Sequence, residues 1–165
     1  MKHEHKQVPD TLPNIRIEVV SRTEAGEILS CPQRCSEITC LISIGEPEDD
    51  LPIGYQNISR KLRLLFADTN EPQLGATEDD VKTLIELAQN LRLTMGSVLI
   101  HCEAGVSRST AAALILYACW LGPGHEAEAM RRVLAQRPVA NPNRRMVQLA
   151  DQLLERDGRL LETLG

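Results

Sequence analysis

Aromatic side chains are nearly missing. One Trp, two Tyr and one Phe serve 165 residues, so the core has to be aliphatic. Platforms for stacking unpaired bases are equally scarce, which sets single-strand nucleic-acid binding aside. Positive charge is also short: 18 Lys and Arg against 23 Asp and Glu leave −5. Broad attraction to nucleic acid or to an anionic membrane needs the opposite balance. An anionic ligand would have to be caught by a local pocket. The longest uncharged run, Ser109 to Gly124, is shorter than the ~20 residues of a membrane span. No apolar signal region follows Met1, so a cytoplasmic location is expected. The five cysteines, Cys31, Cys35, Cys40, Cys102 and Cys119, lack the paired spacings of a zinc ribbon. No metal, cofactor or disulfide framework is expected, and free thiols suit a reducing compartment.

What is present reads as one domain. Residues 1–13 are polar with two prolines and are expected to form a loose arm ahead of a domain at 14–165. His3 and His5 are solvated histidines on that reading. Ile15 to Val20 alternates apolar and charged residues, predicting a strand near a sheet edge. Glu24 to Ser30 is a short helix. Ile38 to Ile44 and Leu62 to Phe66 are strands, the first of them buried. Gly45 to Asn57 and Asp68 to Gly75 are loops. Thr77 caps a helix whose first turn holds Glu78, Asp79 and Asp80, where the dipole favours acids. Val98 to Ile100 is a short strand running into His101 and Cys102. Ser109 to Leu121 is apolar nearly all round, which marks a buried helix. Glu126 to Gln136 and Arg144 to Arg156 are amphipathic helices on either side of a Pro-rich turn. Arg131 and Arg132, with Glu126 and Glu128, are read as a solvated face of the first of these. The alternation predicts an α/β fold with a mainly parallel sheet and helices on both faces.

The chemistry is concentrated in His101-Cys102-Glu103-Ala104-Gly105-Val106-Ser107-Arg108-Ser109. A cysteine ends a buried strand, and an arginine six positions later opens a buried helix. The five residues between them suffice to wrap one anion. Backbone N–H groups of Glu103 to Arg108 can converge on its oxygens, and the helix N-terminus adds positive potential. Arg108 can hold two oxygens with its planar fork. The same donors favour a thiolate at Cys102. Ser109 is placed to donate toward that sulfur.

These residues resemble the cysteine-dependent protein phosphatases, whose pattern is His-Cys, five residues, Arg, then Ser or Thr. Ala104 to Ser109 is similar to the dual-specificity branch, and the resemblance covers roughly Ile38 to Leu154. It includes the Arg137-Pro138 and Pro142-Asn143 elements that follow the phosphate loop in that branch. It implies a central four- or five-stranded sheet, with the phosphate loop between a central strand and a buried helix. It further implies a metal-free, cofactor-free hydrolase of phosphorylated proteins, working through a phosphocysteine on Cys102. Arg108 and the loop then hold phosphate or a similar oxyanion, Ser109 steadies the departing thiolate, and His101 orients the cysteine. The family's general acid is an aspartate some thirty-odd residues earlier. Asp68 fits that place, while Asp79 and Asp80 are explained by capping.

The Asn-x-x-Lys-Asn-Arg-Tyr substrate loop of the tyrosine-specific branch is absent, and the phosphate loop lacks the lysines of the lipid phosphatases. A phosphoinositide or RNA 5′-phosphate substrate is the lesser alternative. A non-catalytic phosphate-binding module would usually have lost Cys102 or Arg108. Arsenate reductases of similar loop place the cysteine early and the acid late, opposite to the order here. Cys31 or Cys35 could trap an oxidised Cys102. No residue pattern sets an oligomeric state.

Overall fold

The alternation at Ile15 to Val20 becomes β1 (Ile15–Ser21), with Arg16 outward and Ile15, Ile17 and Val19 inward. A computed structural model describes residues 12–165, so all but the last two residues of the expected N-terminal arm, His3 and His5 among them, lie outside the described residues. Next come α1 (Arg22–Ser30), α2 (Pro32–Ser36), β2 (Ile38–Gly45), β3 (Lys61–Leu65) and α3 (Glu78–Leu91). β4 (Gly96–Cys102) leads into α4 (Arg108–Leu121), α5 (Glu126–Gln136), α6 (Arg144–Leu153) and α7 (Arg159–Glu162). The sheet has four strands in the order β1-β4-β2-β3, and every pairing is parallel. β1 is at an edge, as its alternation predicts. β4 is interior, so Cys102 emerges from the carboxyl end of a central strand.

Both faces of the sheet are covered, and the two sets of side chains follow the pleat. Val98, Ile100 and Cys102 of β4 join Ile42 and Ile44 under α3, α4, α5 and α6. Leu99, Leu41 and Val20 face the other way, onto Ala25, Ile28 and Leu29 of α1. α4 is buried almost all round, as its composition requires. Ser21 and Glu24 form a capping box at the start of α1, and Thr77 and Asp80 form one at α3. α1 therefore begins two residues before the Glu24 that periodicity marks. No helix among the described residues is long and apolar enough to cross a membrane.

The C-terminal region departs from expectation. The helix expected to reach Arg156 stops at Leu153, and Glu155 and Asp157 take positive φ. A short α7 then begins, its backbone N–H groups of Leu160 and Leu161 donating to the Asp151 carboxylate. Glu126 is not on a solvated face. It is buried, with Arg156 Nη1 at 3.5 Å and Arg159 Nε at 3.3 Å from its Oε1. Arg131 and Arg132 do lie outward and pair with Glu128. Glu126→Gln would strand the buried Arg156, and a loss of about 3–5 kcal/mol is expected in urea unfolding. Arg159→Gln, at the exposed partner, should cost about 1 kcal/mol or less. Equal losses would show that Arg156 does not depend on Glu126.

Candidate active site

The loop from Cys102 to Arg108 owes its shape to what surrounds it. Each carbonyl from Glu103 to Ser107 is engaged from outside. Arg22 N–H donates to Glu103 O at 3.2 Å. Arg137 Nη2 and Nε donate to Ala104 O and Gly105 O at 3.2 and 3.0 Å. Asn141 N–H reaches Val106 O at 2.8 Å and Asn143 N–H reaches Ser107 O at 3.1 Å, with Thr110 Oγ1 donating to both carbonyls. With five successive carbonyls held outward, the N–H groups are left to face the loop's interior. Gly105 is required here: its φ is +71°, and a Cβ would lie 2.6 Å from the Val20 carbonyl carbon.

Cys102 stands at the bottom, buried, with Sγ 3.1 Å from Ser109 Oγ. Burial opposes a thiolate there. The Ser109 hydroxyl and the backbone N–H groups of Ser109, Gly105 and Val106 outweigh it, and the thiol is more acidic than an ordinary cysteine. Cys40 and Cys119 show burial without donors, which pushes each thiol up to about 11. All five cysteines are free.

Arg108 opens α4 and is 6% exposed. Its Nη1 donates to Phe66 O at 2.8 Å, which fixes the guanidinium, while its Nε is buried with no partner among the described residues. A planar cation fixed by one corner, with a free donor beside a ring of inward N–H groups, suits a tetrahedral oxyanion. Among the described residues no group of three or more His, Cys, Asp and Glu is arranged to hold a metal.

Asp68 follows β3 and reaches this loop. Its Oδ1 accepts from Ser107 Oγ at 2.6 Å and from Asn143 Nδ2 at 2.9 Å. Asp80 is instead committed to its cap, accepting from Thr77 N at 2.8 Å and Thr77 Oγ1 at 2.9 Å. Asp79 is exposed at the start of α3, and its backbone carbonyl accepts from Thr83 Oγ1. Of the three aspartates, Asp68 is the one in contact with the loop. Asn143, Arg137 and Arg22 carry no such role in the sequence reading. The one signal for two of them is the pair of elements, Arg137-Pro138 and Pro142-Asn143, that resemble the family.

The fold and this geometry invite comparison with known proteins. No family model matches the chain. Over 108 residues, 66% of its length, it is 34% identical to dual specificity protein phosphatase 15 of Mus musculus and spans 43% of that protein. It is 37% identical to the Homo sapiens protein of the same name, again over 108 residues, and spans 34% of it. The crystal structure of DUSP15 superposes with a TM-score of 0.66 at 27% identity, covering 95% of this chain and 94% of that one. In sequence and in fold the chain is similar to the dual-specificity branch of the cysteine-dependent protein phosphatases. Within that family its fold is also shared by human DUSP28, at a TM-score of 0.65 and 17% identity over 84% of this chain and 91% of that one.

His101 is buried beside the loop, and burial together with nearby arginines pushes it down to about 4. The unfolded chain takes up that proton near pH 6.5, so acid favours unfolding across the interval between the two values. Wild-type stability is expected to fall by as much as roughly 3 kcal/mol from this group as pH drops from 6.5 to 4. His101→Asn should flatten that part of the curve, measured by denaturant titration at successive pH values. Parallel curves would mean that His101 is charged in the folded state.

Proposed function

We propose that the chain is a metal-independent protein phosphatase acting on phosphotyrosine, with phosphoserine and phosphothreonine as further substrates, through a phosphocysteine intermediate. The observation that carries this reading is the acidified Cys102 at the floor of a loop whose N–H groups face inward, with Arg108 and Asp68 at its rim. Residues 14–165 form the phosphatase domain on this reading. All five thiols are free, and a nucleophilic thiolate needs a reducing compartment, which supports a cytoplasmic location. The small aromatic count and the −5 balance support a protein substrate over RNA.

In the first step Cys102 Sγ attacks phosphorus in line, an S–P bond forms and the P–O bond to the leaving group breaks. Asp68, as the general acid, gives its proton to the departing oxygen. The amides of Glu103, Ala104, Gly105, Val106, Ser107 and Arg108, with the Arg108 fork, hold the equatorial oxygens as charge redistributes. In the second step the Asp68 carboxylate takes a proton from water, the water oxygen attacks phosphorus, and the S–P bond breaks. Inorganic phosphate leaves, and Ser109 donates to the returning thiolate. Every charge in the cycle is met by a group of the chain itself, so no divalent cation is required.

Hydrolysis of a phosphotyrosine peptide in excess EDTA tests the reading. Wild type should turn over, whereas Cys102→Ser should be inert yet still bind tungstate, because the loop donors remain. Dependence on added metal, or turnover by Cys102→Ser, would overturn it. Asp68→Asn should lower kcat by roughly 10²–10⁴ on a phosphopeptide. The deficit should shrink for p-nitrophenyl phosphate, whose leaving group needs less protonation. An equal deficit on both substrates would remove Asp68 from the acid role.

A further inference from the structure

One row of side chains crosses the sheet beneath the phosphate loop. Arg63 of β3 is in register with Ser43 of β2, and Ser43 is in register with His101 of β4. The row lies on the α1 side of the sheet, opposite Ile42, Ile44 and Ile100. Arg63 Nη1 donates to Ser43 Oγ at 2.8 Å. Ser43 Oγ is 2.6 Å from His101 Nε2, and His101 Nδ1 is 3.0 Å from Cys102 O. Ser43 and His101 are buried, and Arg63 is half-buried.

The chemistry of the partners orients every proton in this row. A carbonyl can only accept, so Nδ1 carries the hydrogen that bonds to Cys102 O. The ring is neutral, so Nε2 has a lone pair and accepts from Ser43. Arg63 can only donate, so the Ser43 oxygen accepts from the guanidinium while its hydrogen turns to the histidine. The hydrogen bonds therefore all run one way, from the cation of β3 to the peptide carbonyl at the head of the loop. Such a chain polarises along its length, and each bond strengthens the next. A sequence scan sees Ser43 and Arg63 as unremarkable strand residues, because their meaning depends on the register of three strands.

We propose that Arg63, acting through Ser43 and His101, is a positioning residue for Cys102. The row fixes the His101 tautomer, ties down the carbonyl from which the phosphate loop departs and favours the thiolate. This inference rests on Cys102 being the nucleophile. The charged and titratable groups facing the row are Arg22 from α1, Arg108 from α4, and Asp49 and Tyr55 from the loop between β2 and β3. Arg22 and Arg108 remain in the variants below, so what is removed is the directed path and the charge at its end.

Alkylation of Cys102 by iodoacetamide, followed by mass spectrometry of its peptide across pH, reads the thiolate without using turnover. Arg63→Met and Ser43→Ala should each move the midpoint up by about half to one pH unit. That corresponds to roughly 3–10-fold less thiolate on the acid side. The double variant should move it no further than the larger single one, since both changes cut the same path. On p-nitrophenyl phosphate below the midpoint, kcat should fall by the same factor with KM held within about twofold. Nitrogen NMR of His101 should show the proton on Nδ1 in wild type and a tautomer mixture in Arg63→Met. Should Ser43→Ala fail to fold, Arg63→Met with the NMR reading decides alone. An unmoved midpoint in Arg63→Met, additive shifts in the double variant or an unchanged tautomer would overturn the proposal. Wild-type protein inert on every phosphoester, with the alkylation shifts intact, would strike the phosphatase reading and leave this one standing.

Discussion

The phosphate loop depends on a single accounting constraint: each peptide unit has one donor and one acceptor, and they point in opposite directions. Turning five successive carbonyls outward leaves their amides facing the centre. The surrounding fold makes that arrangement stable by supplying a donor for every outward carbonyl. Those donors come from the start of α1, from Thr110 on α4 and from the segment between α5 and α6. Arg137 is central to the arrangement, serving two carbonyls while also pairing with Glu24 at 2.9 Å. Glu24 in turn closes the Ser21 capping box and is held at about 2, first by its hydrogen bond from Arg137. The loop is thus fixed from behind by an ion pair that lies outside it.

The same economy governs the sulfur. Cys40 is buried and Cys119 half-buried, and burial alone makes both of them poor acids. Cys102 differs because a hydroxyl and three amides converge on it. An aliphatic core is well suited to that contrast. With so few aromatics, the core between the sheet and α4 is packed largely by small and branched side chains, among them Val98, Ile100, Ala111, Ala112 and Leu114.

Much of this was legible in the sequence where the determinants are local. The strand, turn and buried helix around Cys102 follow from hydrophobic period and punctuation. The Ser109 hydroxyl meets the sulfur as the spacing implies, and the edge position of β1 follows from its alternation. Asp68 is singled out by the resemblance, whose general acid falls some thirty-odd residues before the cysteine, while capping explains Asp80. What stayed hidden is long-range. Asn143 and Asp68 are 75 positions apart, and Arg137 and Glu24 are 113 apart. Glu126 looked solvated because it shares a charged helix with Glu128, Arg131 and Arg132, and only the returning C-terminal segment with Arg156 buries it. α2 and α7 are too short for any periodic signal.

Those long separations also bear on how the molecule comes into being. An all-parallel sheet with the order β1-β4-β2-β3 places its second strand last in the chain, so β1 waits for β4 before it can pair. The loop carbonyls gain their final donors only when the segment before α6 docks, later still in sequence. Until then Cys102 has no converging amides and titrates as an ordinary thiol. A half-folded chain therefore holds Cys102 without the full set of donors that make its thiol acidic in the closed domain.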